Sequence, residues 1–131
     1  MYKSLIRRNL AELMGTLFLV TIIIGSGIMA SNLSSDELII LLAHSVATGA
    51  GLTALIWVFI SVSGAQFNPA VTIVMYLKRE ISAKDSICYI VSQLIGGILG
   101  ALLANSMFGL DILTISDNDR GGLNIYIGEL V

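Results

Sequence analysis

Residues 63–72 read SGAQFNPAVT, placing the chain's one proline beside an asparagine between two apolar runs. Asn68 followed by Pro69 has the form of an N-cap and first helical residue. The asparagine side chain can accept from a free first-turn amide, and proline lacks an N–H that would be unpaired there while its φ already suits the helix. The pair predicts a helix over Pro69–Leu77. At ~1.5 Å per residue this helix is roughly 14 Å long, about half of a ~30 Å hydrocarbon core. The whole segment 61–78, SVSGAQFNPAVTIVMYLK, is too short to span a bilayer and too apolar for an ordinary loop. It reads as re-entrant, with a surface amphipathic helix between two spans as the competing reading that spacing alone leaves open.

The remainder of the chain calls for a membrane. Its 131 residues are 56% hydrophobic and 12% charged, against about 25% charged in an ordinary soluble domain. A net charge of -2 offers no footprint for nucleic acid, and neither a glycine-rich phosphate loop nor a paired metal-ligand spacing occurs. No metal, cofactor or nucleic-acid partner is expected. Cys88 has no second cysteine to pair with, and within an apolar run it reads as an inert packed side chain. His44 and the serines fall at no spacing that joins a nucleophile to a base, so an enzyme is not expected.

Three apolar runs, residues 10–30, 38–60 and 86–108, are each long enough to cross. Glu12 in the first costs up to ~3 kcal/mol at the bilayer centre, and the run's Leu, Ile, Val and Phe side chains offset it by ~3 to 6 kcal/mol. The run exceeds the ~7 to 15 residues of a signal-peptide core and further spans follow it, which argues against a cleaved leader. Lys3, Arg7, Arg8, Lys78, Arg79 and Lys84 lie before the first span or between the second and third, whereas Asp36, Glu37, Asp111, Asp117 and Asp119 face Arg120 alone on the other side. The positive-inside rule therefore places the N-terminus in the cytoplasm. The bias also argues against dual topology and antiparallel self-pairing.

Small residues recur every four positions as Ala43, Ala47 and Gly51, and as Gly96, Gly100 and Ala104. Such stripes let helix backbones approach closely. Tight packing within one bundle is favoured over a dimer face because two helices carry them.

If the half-helix dips to mid-membrane, an extended Ser63 to Phe67 strand must hold unpaired carbonyls beside its N-terminus. Irregular backbone survives at that depth only where protein buries it or water lines it. A water path follows, with the positive end of the half-helix at its middle favouring a water oxygen over a cation.

SGAQFNPAVT resembles the first Asn-Pro-Ala box of the major intrinsic proteins, the aquaporins and aquaglyceroporins, in which SGAHxNPAVT is usual. The likeness continues through AELMGTLFLV at Ala11 to Val20 and YIVSQLIGGILGA at Tyr89 to Ala101. Within the family the chain is most similar to a bacterial group with GSGIMA after the first span, here from Gly25 to Ala30, and some of that group are associated with arsenic resistance. The resemblance implies an all-α membrane protein of three transmembrane helices plus one re-entrant half-helix, one repeat of the aquaporin-like fold, in a bacterial inner membrane. It implies a passive channel for water and small uncharged solutes such as glycerol or metalloid hydroxides.

Carried over by residue, the resemblance gives Asn68 the donation of an amide to solute, with Pro69 and Ala70 stacked against a partner box. The carbonyls of Gly64, Ala65 and Gln66 become an acceptor ladder. Glu12 binds loop N–H groups, a fuller account than a frayed helix end, and Gln93 packs near the half-helix. Thr48, twenty residues before Asn68, becomes the second helix's part of an outer filter, roomier than the aromatic residue of water-specific members. His44, one turn outward, either lines the vestibule or packs.

Two departures stand out. Gln66 replaces a histidine, keeping hydrogen-bond capacity and losing a titratable group. Family members are two inverted repeats with the pore between them, and residues 1–131 supply the first, with 126–131 echoing Ala11-Glu12-Leu13 as the start of a truncated fourth helix. A second half-repeat or homologous subunits, tetrameric by family precedent, would complete the pore. The alternative is a non-conducting truncated homologue that only associates with full-length or complementary subunits.

Overall fold

The computed structural model describes residues 4–113 and Gly122. It comprises four helices, α1 (Leu5–Leu33), α2 (Glu37–Ser63), α3 (Pro69–Leu77) and α4 (Ala83–Met107). Three of them, α1, α2 and α4, are long and apolar enough to cross a membrane. The expectation of three spans and one half-helix holds, and α3 has the predicted bounds. The expected start of a fourth helix at 126–131 lies outside the described residues.

Each helix begins on a polar side chain that takes a first-turn amide. Ser4 accepts from Arg7 N, Asp36 from Leu38 N and Ile39 N, Asn68 from Ala70 N and Ser82 from Asp85 N. The spanning helices overrun the expected apolar limits by a few residues at most ends. At ~1.5 Å per residue, the 29 residues of α1 cover a bilayer's ~40 Å including its headgroup layers.

Helix α1 is central, packing on α2 along one side and on α4 along the other, while α3 docks on α4. The α1/α4 seam is the tightest contact. A Cβ added to Gly96 would collide with the Leu13 carbonyl oxygen, and one added to Gly100 with that of Leu17. These glycines let the helices meet backbone to backbone. Thr21 spans the seam, its hydroxyl reaching Leu17 O at 2.8 Å and Gly100 O at 3.2 Å. The second stripe packs more loosely, with Gly51 against Ile22. The α4 stripe works inside the bundle as expected, with Gly96, Gly100 and Ala104 all buried, whereas in the α2 stripe Ala43 is exposed and Ala47 and Gly51 are half-buried.

The segment between α2 and α3 differs from expectation. Ser63 closes α2, and instead of an extended strand the chain turns through positive φ at Gly64 (94°), Ala65 (52°) and Phe67 (50°). This left-handed bending turns successive amides toward α1, where a carboxylate waits for them.

Candidate functional site

Glu12 lies wholly buried near the start of α1 and receives four hydrogen bonds. Ser63 Oγ donates at 2.5 Å, Gln66 N at 3.1 Å, Phe67 N at 2.7 Å and Gln93 Nε2 at 2.8 Å. Four donors use up the acceptor capacity of one carboxylate. The charge-bearing residue of the first span thus draws together the end of α2, the loop and α4.

The neighbours of this carboxylate are bound in turn. Ser63 Oγ accepts from Ala65 N at 3.1 Å, and Ser63 O accepts from the hydroxyl of buried Tyr89 at 2.9 Å. Gln93 Nε2 also donates to Thr72 Oγ1 at 2.9 Å. Gln93 stands eleven residues into the 25-residue α4, so this contact fixes the first turn of α3 near the middle of the bundle's height. Phe67 wedges beneath the loop. Its ring fills the space that a Cβ on Gly15 would occupy and meets Phe59 edge-on, centroids 5.9 Å apart.

With the loop amides turned inward, the carbonyls of Gly64, Ala65 and Gln66 have no hydrogen-bond donor among the described residues. Asn68 Oδ1 accepts from Ala70 N at 2.8 Å, which orients the carboxamide and leaves Nδ2 without a partner among the described residues. Asn68 and Ala70 are exposed and Pro69 is half-buried. Exposed Asn68 and Ala70 thus stand at the positive end of α3, one amide donor beside loop carbonyls that take no donor among the described residues. A molecule carrying both a lone pair and a hydroxyl can exchange hydrogen bonds with these groups, whereas the helix end repels cations.

Among the expected site residues, Glu12, Gly64, Ala65, Gln66, Asn68, Pro69, Ala70 and Gln93 converge here. Gln66 adds a side chain that is buried with Oε1 unpartnered. Thr48 and His44 do not join them. Both sit half-buried on α2. Thr48 Oγ1 is buried without a partner, and His44 Nδ1 lies 2.9 Å from Ser26 Oγ on α1, so of its two readings the packing one has a contact.

Sequence reasoning missed Ser63, Thr72 and Tyr89 as loop supports, and the Arg8–Asp85 pair, 2.9 Å apart across the seam. A signal was present. Asp85, Tyr89 and Gln93 recur at the four-residue spacing of one helix face, as do Arg8 and Glu12 on α1.

A family model described as Major intrinsic protein matches residues 2–123. The chain is 41% identical over 126 residues to aquaglyceroporin AqpS of Rhizobium meliloti (strain 1021), covering 96% of this chain and 54% of that protein. It is 33% identical to glycerol uptake facilitator protein-like 6 of Lactiplantibacillus plantarum, over 95% of this chain and 58% of that one. With aquaporin NIP1-2 of Arabidopsis thaliana it shares 32% identity over 95% of this chain and 40% of the plant protein. The chain spans about half the length of the curated relatives it matches.

Proposed function

Since the chain belongs to the major intrinsic protein family and is an integral, multi-pass membrane protein, we propose that it forms one wall of a passive channel for water and small uncharged solutes such as glycerol or metalloid hydroxides. The carrying observation is the division of the loop into two sides. The Gln66 and Phe67 amides are spent on Glu12, and the loop carbonyls and the Asn68 side-chain amide remain for a passing molecule. Asn68 donates to the solute oxygen, Gly64, Ala65 and Gln66 accept from its hydroxyls, and Pro69 with Ala70 abut the opposing box. Thr48 leaves the outer constriction wide enough for solutes larger than water, with His44 one turn beyond it. The N-terminus is cytoplasmic, in a bacterial inner membrane. A second half-repeat or homologous subunits supply the opposite wall, in a tetramer by family precedent.

The second reading is a non-conducting truncated homologue that only associates with full-length or complementary channel subunits. Osmotic swelling of liposomes holding the purified chain separates the two. Water and glycerol entry above the lipid background sinks the non-conducting reading. Swelling at the background rate sinks the autonomous channel, and permeability that appears only on adding a complementary half supports the one-wall reading.

A further inference from the structure

We propose that Arg8 and Asp85 are positioning residues for the re-entrant loop, acting through Tyr89 on the carbonyl of Ser63. The α1/α4 seam carries two ladders in register. Arg8 and Glu12 stand one turn apart on α1, and Asp85, Tyr89 and Gln93 stand one turn apart on α4. The outer rung is the Arg8–Asp85 ion pair at 2.9 Å and the inner rung is Gln93 to Glu12 at 2.8 Å. Tyr89 lies between them, fully buried. Its ring centroid is 5.9 Å from the Arg8 guanidinium carbon, and its hydroxyl holds Ser63 O at 2.9 Å.

Ser63 is the last residue of α2 before the backbone turns through positive φ, and its own hydroxyl binds Glu12. Whatever fixes the Tyr89 ring therefore fixes the point from which the loop departs. Arginine at the end of a spanning helix ordinarily reaches outward toward headgroups. Arg7 is exposed and free to do so. Arg8 turns across the seam instead, its side chain 23% exposed and that of Asp85 20%. Exposed ion pairs hold little, but this one sits over a buried ring and caps the polar seam on its outer side.

This assignment rests on reading residues 64–68 as a pore wall. Its test observes the loop rather than flux, so the two can fail separately. The experiment is residue-resolved amide hydrogen exchange on the full chain in lipid nanodiscs. Arg8→Met and Tyr89→Phe are each expected to speed exchange at Ala65, Gln66 and Phe67 by about tenfold, the scale of one hydrogen bond to an ordered group. Exchange at residues 96–100 should stay unchanged. The double substitution should do no more than either single one, because both interrupt the same relay. The exchanged pair, Arg8→Asp with Asp85→Arg, should restore protection of the loop. Unaltered loop exchange in Arg8→Met overturns the proposal, as do multiplying effects in the double variant, failure of the exchanged pair to restore protection, or faster exchange throughout α1 and α4.

Discussion

The residues that α1 and α4 bury include Glu12, Thr16, Tyr89, Gln93, Gly96 and Gly100, whereas α2 buries Ser63 alone and leaves Trp57 82% exposed. In sequence the two regions look equally apolar. In lipid, apolar surface gains nothing by leaving its surroundings, so position must come from hydrogen bonds and close backbone approach. The seam has both and holds the loop. On the outer face of α2 the Thr53 hydroxyl turns back onto Gly49 O of its own helix, and the exposed side chains around Trp57 can meet hydrocarbon or another subunit.

The largest expected effect lies at the centre of the seam. Glu12→Ala removes the acceptor of four donors, and each buried donor left unmade costs about 1–3 kcal/mol. The loop should lose its fixed position and the thermal midpoint in detergent, followed by circular dichroism, should fall further than for any substitution on α2. A midpoint near that of the unaltered chain would break the contrast. Next comes Gly15→Val, which drives a branched side chain into the Phe67 ring and should destabilise by about 1–3 kcal/mol, partly relieved when Phe67→Leu is added. Thr21→Val takes one hydroxyl from the seam and should cost roughly 0.5–1 kcal/mol in the same assay. Trp57→Leu, on the outer face of α2, should stay within about 0.5 kcal/mol.

The fold was legible because its signals were local. Asn68-Pro69 marks a helix start wherever it lies, and runs of about twenty apolar residues have few other uses. Glu12 and Gln93 were singled out through the family resemblance, and spacing alone could not give their bonds, Glu12 taking the Gln66 and Phe67 amides and Gln93 donating to Glu12. The rest depended on how helices rotate about their axes. Tyr89 reads as one more aromatic in a greasy span until its hydroxyl is found on Ser63 O. Arg8 and Asp85 each fit the positive-inside pattern or a first-turn charge, and only the α1/α4 contact makes them a pair. The backbone between Ser63 and Asn68 was misread as extended because nothing in Ala65 or Phe67 announces positive φ. That conformation is imposed by the carboxylate of Glu12, fifty or more residues earlier in the chain.

Exposure alone cannot tell a wall of a water path from a face in lipid, and two residues make that distinction measurable. Asn68, at the tip of α3, and Ala50, midway along α2, are both exposed. With Cys88→Ser as background, Asn68→Cys and Ala50→Cys can be treated in native membranes with a water-soluble thiol reagent, which requires a hydrated thiolate. If residues 64–68 line a water path, Asn68→Cys is modified and Ala50→Cys is not. An unreactive thiol at position 68, or equal reaction at both positions, would contradict the account.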